Sequence, residues 1–185
     1  MRIITGKFKG KKILLPQDKV TRPLKDLTKE SIFNTIAHSN LFDVKIEKSH
    51  VLDLFSGVGS FGLECLSRGS LSVTFFENYN NALSILKKNV AALKLEKKTT
   101  IIEKDLFKNN NLNILKKKYE IIFIDPPYKE KKLLFILESI INLSLLKKNG
   151  VIIIHRHKKD KDLYPEKFKI LKEKNYGISK IIFEN

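Results

Sequence analysis

Cysteine and long apolar runs are scarce in this sequence, and each scarcity excludes a class of protein. The 185-residue chain has a single cysteine, Cys65, which excludes an intramolecular disulfide and a multi-cysteine zinc site. No apolar run approaches the roughly 18 residues that cross a bilayer, and charge and glycine interrupt the amino terminus where a signal peptide needs an apolar core. We therefore expect a protein of the reducing cytoplasm that does not span a membrane.

Arginine is also scarce, although the chain is strongly basic. Lys and Arg number 36 against 20 Asp and Glu, a formal charge of +16, which favours a polyanionic partner such as nucleic acid. Only Arg2, Arg22, Arg68 and Arg156 are arginines, and the many Lys, Ile and Asn residues also fit the codon usage of an AT-rich genome. Charge alone leaves both explanations open and does not identify the nucleic acid.

Apolar runs of strand length alternate with amphipathic stretches of helix length from about residue 50 onward. The predicted strands cover residues 51–55, 73–77, 99–103, 119–125, 151–155 and 178–183. Stretches such as 81–95 and 132–146 carry Leu or Ile at helical spacing, with lysines on the other side. This alternation predicts an α/β protein with a doubly wound parallel sheet, whose ligand site lies at the carboxyl ends of the strands.

The first 40 residues have a different pattern. Two short β-prone runs, 2–5 and 12–15, flank a basic segment bounded by glycines and predict a β-hairpin. A helix with a partly periodic apolar face is predicted to follow Pro23. We therefore divide the chain into an N-terminal hairpin and helix, residues 1–40, and a larger domain, residues 41–185.

A glycine-rich turn follows the first predicted strand. Gly57, Gly59 and Gly62 satisfy the G-x-G-x-x-G pattern of dinucleotide sites, and Glu77 lies at the end of the next strand. Asp53 argues against a dinucleotide, because a carboxylate at the strand end would repel the pyrophosphate and attract a cationic ligand. S-adenosylmethionine carries a sulfonium and an ammonium but no phosphate, and Glu77 could bind its ribose hydroxyls. The turn therefore favours S-adenosylmethionine over NAD.

Two other strand ends carry polar residues. Asp105 follows the third predicted strand, where its carboxylate could accept the adenine amino group, although a cap or a solvated turn would use the same residue. His155, Arg156 and His157 come at the end of the fifth predicted strand without a neighbouring cluster of carboxylates or cysteines. We interpret these three residues as a solvated basic loop and expect no metal site.

The fourth predicted strand ends abruptly in Asp125-Pro126-Pro127-Tyr128. The prolines fix the backbone, so the Asp125 carboxylate and a proline carbonyl form a rigid pair of acceptors suited to an amino group. Tyr128 offers a flat face on which a base can stack after leaving its own stack. Two acceptors favour a pyramidal nitrogen whose lone pair points at an electrophilic methyl, and Asp125 can then stabilise or receive the proton.

The glycine turn and the Asp-Pro-Pro-Tyr sequence together resemble the Rossmann-like class I methyltransferases that act on exocyclic amines with S-adenosylmethionine. Further segments resemble the bacterial RsmD family, whose members methylate the 2-amino group of a guanine in small-subunit ribosomal RNA. These segments are residues 2–6, 21–23, 29–34, 62–69 and 176–177. The resemblance implies S-adenosylmethionine as cofactor and small-subunit rRNA, or the assembling small subunit, as partner. We also expect a monomer that binds no metal.

The resemblance further implies roles for particular residues. The cofactor would contact Asp53, Phe55, Ser56, Gly57 and Gly59, with Glu77 at the ribose and Asp105 at the adenine. The catalytic loop would be Asp125, Pro126, Pro127 and Tyr128. The RNA would contact Arg2, Lys7, Lys9, Arg22 and Pro23. Two positions depart from the family pattern, which has Arg in place of Lys29 and commonly Glu in place of His155. We expect the change at Lys29 to alter a phosphate or base contact.

Three alternatives stay open. A DNA adenine methyltransferase would use the same chemistry, but it usually carries a separate target-recognition region, for which 185 residues leave little room. A NAD-dependent dehydrogenase could use the glycine turn but leaves Asp53 and residues 125–128 unexplained. A non-catalytic RNA-binding module would need only the basic surface.

Overall fold

The computed structural model describes residues 1–18, 21, 24–108 and 111–185. Within these ranges the α-helices are α1 (Asp26–His38), α2 (Ser60–Ser67), α3 (Asn80–Ala92) and α4 (Leu133–Asn142). The strands are β1 (His50–Leu54), β2 (Ser72–Phe76), β3 (Thr99–Ile102), β4 (Tyr119–Ile124), β5 (Leu146–His157), β6 (Ile170–Tyr176) and β7 (Ser179–Glu184). Short 3-10 helices, Glu96–Lys98 and Asn111–Ile114, precede β3 and β4. The predicted alternation of strands and helices is confirmed from β1 to β5.

The strands form one sheet in the order β3-β2-β1-β4-β5-β7-β6. The first five in this order run parallel to one another. The chain order reverses between β1 and β4, and at such a switch point the connections of neighbouring strands diverge and leave a crevice. The glycine turn after β1 and the Asp-Pro-Pro-Tyr sequence after β4 therefore border the same crevice.

The last two strands are antiparallel, whereas the alternation of strands and helices predicted a parallel sheet. β7 pairs antiparallel with β5, and β6 pairs antiparallel with β7. A search for apolar runs misses β6, because its residues, Ile170–Tyr176, are mostly charged or polar and none of them is fully buried. An edge strand is paired on one side only and needs no continuous apolar run.

Helices cover both faces of the sheet with apolar contacts. On one face the rings of Phe33 in α1 and Phe61 in α2 stack at a centroid distance of 5.1 Å, and Phe61 stacks on Phe123 of β4 at 4.1 Å. On the other face α4 packs Leu137 into a cluster that includes Ile152 of β5. Burial on both faces explains why these strands are apolar without alternation. No helix in the described ranges is long and apolar enough to cross a bilayer.

The N-terminal segment is less extended than a full β-hairpin. A single antiparallel bridge joins Arg2 to Lys12. The next amides, of Ile4 and Thr5, donate to the buried Glu64 carboxylate of α2 at 2.7 and 3.0 Å. The hairpin is shorter than predicted because these backbone donors bind α2 instead of the opposite strand. The division of the chain at residue 40 stays a prediction.

Candidate active site

A cavity of about 480 Å³ opens at the carboxyl ends of β1, β2 and β4. Its volume lies within the usual range of small-molecule sites. Predicted site residues from three separate segments line it, namely Asp53, Phe55, Ser56, Gly57, Glu77, Asp125, Pro126, Pro127 and Tyr128. The fold therefore brings the predicted cofactor turn and the predicted catalytic loop onto one cavity.

The glycine turn is a strained and closely packed connection between β1 and α2. Phe55 has a φ of 61°, a left-handed conformation that is uncommon outside glycine. Gly59 has a φ of 83° directly before α2 begins. A Cβ on Gly62 would lie 2.4 Å from Cε1 of Phe75, so only glycine lets α2 approach β2 this closely. The turn thus lies against the sheet and forms one wall of the cavity.

Asp53 lies in β1 just before this turn and also lines the main cavity. Its side chain is buried, and its Oδ2 accepts the N–H of Gly62 at 3.0 Å. Burial raises the pKa of Asp53 well above the usual value of an aspartate, and the charges of Asp125 and Glu77 raise it further, against the Gly62 hydrogen bond. A cationic ligand would lower the pKa of Asp53 again, because an opposite charge favours the ionised carboxylate.

Glu77 joins the end of β2 to the glycine turn. Its carboxylate accepts the backbone N–H groups of Gly57 at 2.6 Å, Asn78 at 2.9 Å and Tyr79 at 2.8 Å. Burial raises the pKa of Glu77, while these three hydrogen bonds oppose the rise. The carboxylate is thereby held in a fixed orientation on the cavity wall.

A second cavity of about 190 Å³ shares four lining residues with the first: Phe55, Glu77, Asn78 and Pro127. The ring centroids of Phe55 and Phe107 are 5.7 Å apart, and both residues line this smaller cavity, which gives it aromatic walls. Asp105 also lines it and accepts the N–H of Phe107 at 2.9 Å. Asp105 therefore lies beside the main cavity rather than in it, at a place suited to the edge of a flat ligand.

Residues 125–128 turn sharply away from β4. The N–H of Asp125 donates to the carbonyl of Leu54 at 3.3 Å, which keeps the start of the loop in the sheet. Beyond the second proline, the N–H of Glu130 donates to the carbonyl of Pro127 at 2.8 Å and closes a turn. The loop is therefore held at both ends.

The end of β5 contradicts the interpretation of His155, Arg156 and His157 as a solvated loop. His155 and Arg156 are only 3% and 2% exposed. His155 Nδ1 lies 2.9 Å from Asp125 Oδ1, and Arg156 Nη1 donates to the carbonyl of Pro127 at 3.2 Å. The side chains point into the protein because the neighbouring loop supplies their polar partners. In the described part of the chain, no group of histidines, cysteines and carboxylates could hold a metal ion.

The charge of the main cavity is opposite to that of the chain. Among the described residues, its lining includes the carboxylates Asp53, Glu77 and Asp125 and no Lys or Arg. A pyrophosphate in such a cavity would meet only like charge, whereas a ligand with a sulfonium and an ammonium would be attracted. The donor set therefore fits S-adenosylmethionine and argues against a dinucleotide.

The residues predicted to contact RNA lie mostly on the exposed N-terminal segment. Arg2, Lys7 and Lys9 are exposed there, whereas Arg22 and Pro23 lie outside the described residues. Lys29 is fully buried, and its Nζ donates to the carbonyl of Arg2 at 2.8 Å. The expectation that Lys29 alters a phosphate or base contact is therefore wrong.

Comparison with known proteins identifies the family. A family model described as Conserved hypothetical protein 95 matches residues 1–185. Ribosomal RNA small subunit methyltransferase D of Buchnera aphidicola subsp. Baizongia pistaciae is 36% identical over 159 residues, which cover 84% of this chain and 76% of that protein. The protein of the same name from Haemophilus influenzae is 31% identical, over 96% of this chain and 90% of its own. The chain belongs to the RsmD family.

Membership of the RsmD family confirms the enzyme class and the fold. The chain is a methyltransferase that depends on S-adenosylmethionine. The structure of yhhF from Escherichia coli superposes with a TM-score of 0.81 at 25% identity, covering 100% of this chain and 96% of that one. The Rossmann-like class I architecture is thereby confirmed.

Nine residues that line the main cavity are missing from the sequence-based prediction: Thr21, Leu24, Val58, Ser60, Phe61, Asn78, Tyr79, Ala82 and Phe123. Asn78 and Tyr79 directly follow Glu77. They would have been predicted if the two residues after the end of the second strand had also been taken as site residues. Thr21 belongs to the segment 21–23 that resembles the family, whereas Leu24 reaches the cavity only through tertiary packing.

Proposed function

We propose that this RsmD-family chain transfers a methyl group from S-adenosylmethionine to the 2-amino group of a guanine in small-subunit ribosomal RNA. The observation that carries the proposal is that residues 125–128 line the same cavity as Asp53 and Glu77. A methyl donor held by the carboxylates and a base held by the loop would therefore meet in one space. Relatives named as small-subunit rRNA methyltransferases support the class of RNA, and the resemblance to the family supports guanine.

The chemistry of the cavity supports a specific placement of the cofactor. Asp53 would attract the α-ammonium of the cofactor, and Glu77 would accept hydrogen bonds from its ribose hydroxyls. Asp105 would accept a hydrogen bond from the adenine amino group, beside the rings of Phe55 and Phe107. Ser56 and Gly57, which line the main cavity, would supply the backbone wall against which the methionine part lies. Gly59 was predicted to contact the cofactor, but it lies against the core side chains Leu86, Leu63 and Phe75 and would act by completing the turn. When bound, the cofactor supplies a methyl group that its sulfonium makes electrophilic.

The catalytic loop would prepare the base amine for attack. The lone pair of an exocyclic amine is delocalised into the ring, so two acceptors, the Asp125 carboxylate and a carbonyl of Pro126 or Pro127, favour a pyramidal nitrogen. Tyr128 would stack on the base that has left the RNA helix. The nitrogen that receives the methyl group would become positive, and Asp125 would stabilise it and receive its proton.

The N-terminal residues would bind the RNA. Arg2, Lys7 and Lys9 form an exposed basic surface on the segment anchored to α2, and phosphate contacts are the usual role of such cations. Arg22 and Pro23 are included in this proposal because residues 21–23 resemble the family in sequence. Residues 1–40 would thus read the substrate, while residues 41–185 bind the cofactor and carry out the transfer.

Nucleoside mass spectrometry of rRNA tests the proposal. Small-subunit rRNA from cells that lack the gene should lack one N2-methylguanosine, and a plasmid encoding the wild-type protein should restore it. The matched control is the Asp125→Asn variant at equal protein level, which should not restore it. An unchanged nucleoside profile in the deletion strain would contradict the guanine proposal.

Two further measurements separate the alternatives. Titration calorimetry should show binding of S-adenosylmethionine and none of NAD, since the described lining of the main cavity is acidic. Methyl transfer should occur to isolated small-subunit rRNA or to the small subunit, and not to duplex DNA. Formation of N6-methyladenine in the DNA would instead support the DNA methyltransferase.

A further inference from the structure

Three consecutive residues at the end of β5 contact the proposed catalytic loop. They are His155, Arg156 and His157, which we name the β5 clamp. Side chains alternate between the faces of a strand, so residues 155 and 157 project to one face and residue 156 to the other. The clamp therefore approaches the loop from both faces of the sheet.

Arg156 contacts the backbone of the loop. Its Nη1 donates to the carbonyl of Pro127 at 3.2 Å, and its Nη2 donates to the carbonyl of Glu130 at 2.9 Å. The guanidinium also pairs with Asp162, with an Nη2–Oδ1 distance of 2.8 Å. Because the planar group is held by a buried carboxylate, its remaining donors have a fixed direction.

His155 contacts the side chain of the loop's aspartate. Its Nδ1 lies 2.9 Å from Asp125 Oδ1, and its Nε2 lies 2.9 Å from Oγ of Ser179 on β7. A neutral imidazole that donates Nδ1–H to Asp125 can accept the Ser179 hydroxyl hydrogen at Nε2, so both ring nitrogens are satisfied. This chain of two hydrogen bonds opposes rotation of the Asp125 carboxylate.

His157 contacts Tyr128, the aromatic residue of the loop. Its ring lies edge-on to the ring of Tyr128, at a centroid distance of 5.1 Å and an interplanar angle of 75°. The His155 ring also lies edge-on to Tyr128, at 6.0 Å. The two imidazoles together limit the positions that the tyrosine ring can take.

We propose that the β5 clamp positions residues 125–130 for methyl transfer, with His155 orienting the Asp125 carboxylate and Arg156 fixing the carbonyl of Pro127. This inference rests on the proposed function of the loop. The clamp residues act through the loop and are positioning residues. The Pro127 carbonyl already accepts from the N–H of Glu130 and from Nη1 of Arg156, so the acceptors left for the amine are the Asp125 carboxylate and the Pro126 carbonyl. The amine is activated only if both of these acceptors keep their directions. Arg156 holds the loop that carries Pro126, so loss of the clamp should slow transfer without weakening cofactor binding.

A pair of substitutions at His155 isolates the hydrogen bond to Asp125. The amide of Asn can take the position of Nδ1, whereas the amide of Gln extends to the position of Nε2. His155→Gln should lower kcat by about tenfold or more with KM for RNA and the cofactor Kd within about twofold, and His155→Asn should restore much of the loss. His50→Gln is the matched control, because its Nδ1 lies 2.8 Å from Ser72 Oγ at the opposite end of the sheet.

Hydrogen exchange tests the same inference without substrate. In Arg156→Lys, which keeps the charge but loses the planar fork, the amides of residues 128–131 should exchange faster than in the wild type and in His50→Gln. If exchange of this segment and kcat are both unchanged in His155→Gln and Arg156→Lys, the clamp is refuted. If the wild type transfers no methyl group to the RNA while exchange rises as expected, the proposed function fails and the positioning stands.

Discussion

Asp53 and Asp125 are aspartates at the ends of neighbouring strands, and their surroundings differ. Asp53 is 1% exposed and accepts a backbone N–H from Gly62, whereas the side chain of Asp125 is 13% exposed and faces His155. Burial raises the pKa of Asp53 well above its usual value, so the free protein stabilises its charge poorly. We therefore expect Asp53 to act in cofactor affinity and Asp125 in the chemical step.

Asp53→Ala should weaken binding of S-adenosylmethionine by about 1.5–3 kcal/mol, the usual contribution of a hydrogen bond to a charged group. The physical reason is the loss of the carboxylate that the cofactor's ammonium would approach. Titration calorimetry measures the change. Asp43→Ala is the charge-matched control, because Asp43 is exposed and away from the cavity. Equal affinity in the wild type and the Asp53 variant would overturn the assignment.

Asp125→Asn should slow methyl transfer by roughly 100-fold or more and leave the cofactor Kd nearly unchanged. The amide keeps the shape of the side chain but removes its charge and replaces one acceptor with a donor. Single-turnover kinetics with saturating RNA and cofactor measure the chemical step. A rate within a few fold of the wild type would show that Asp125 is not the acceptor for the amine.

At the scale of elements, the N-terminal segment depends on one buried carboxylate of α2. Glu64 accepts the amides of Ile4 and Thr5 and pairs with Arg68 at 2.9 Å. The buried Lys29 Nζ lies 3.7 Å from the same carboxylate. Because two cations and two backbone donors converge on Glu64, the position of the proposed RNA-binding segment is determined from within the core.

Glu64→Gln should lower the melting temperature by about 5 °C or more, because it leaves Lys29 and Arg68 without their common buried counter-charge. Glu103→Gln removes a charge from the exposed ion pair with Lys87 and should change the melting temperature by less than about 2 °C. Thermal unfolding followed by circular dichroism gives both values. Similar small shifts in the two variants would mean that Glu64 does not anchor the segment.

The basic surface of the same segment should determine how RNA binding responds to salt. If Lys7, Lys9 and Lys11 contact phosphates, replacing all three with Ala should lower the slope of log affinity against log salt by about two units and spare cofactor affinity. Filter binding at several salt concentrations measures the slope.

A second triple substitution provides the charge-matched control for this experiment. Lys116, Lys117 and Lys118 are exposed, and we assign them to solvent, so their replacement with Ala should change the slope less. Equal reductions from the two triples would mean that the positive charge acts as a diffuse field, with no special role for the N-terminal segment.

At the scale of the whole molecule, positive and negative charge are separated. The chain carries a formal charge of +16, while the described lining of the main cavity contains carboxylates and no Lys or Arg. A positive exterior attracts RNA over a distance set by ionic strength, and an acidic interior attracts the cationic methyl donor. We expect the carboxylates that line the main cavity to repel RNA phosphates from it.

The pH dependence of stability should include a contribution from Glu184 at the end of β7. Oε2 of Glu184 has no hydrogen-bond partner among the described residues, and burial raises the pKa of this carboxyl from 4.5 to about 7. Between these values the unfolded chain loses the proton while the folded protein keeps it. This difference lowers the free energy of unfolding as pH rises from 4.5 to 7.

Glu184→Gln removes this titration. A pKa shift from 4.5 to about 7 corresponds to about 3 kcal/mol, so the melting temperature of the variant relative to the wild type should rise by about 6–12 °C across that pH window and then stay level. The buried amide of the variant can itself raise or lower the melting temperature, but this effect does not depend on pH. Calorimetric scans from acid to mild alkali measure the difference in melting temperature between the variant and the wild type. A difference that is constant over the whole pH range would contradict the role of Glu184.

Several elements could be predicted from local sequence. The helical stretches predicted over residues 81–95 and 132–146 overlap α3 and α4, and the predicted strands overlap β1 to β5 and β7. The strand ends also located the three segments that meet at the main cavity. In contrast, β6 and the single bridge of the N-terminal segment were not predictable, because each depends on a partner strand or helix rather than on its own apolar pattern.

By itself, the sequence determined the alternating α/β pattern, the glycine turn, the Asp-Pro-Pro-Tyr loop and the positive charge, because each depends on residues that are adjacent or regularly spaced in the chain. Only the tertiary structure decided that His155 and Arg156 are buried against the proposed catalytic loop and that Glu64 anchors the N-terminal segment. These contacts join residues about 30 and 60 positions apart. Whether such a charged side chain is solvated or buried depends on whether the fold brings a polar partner to it, and local sequence does not contain that information.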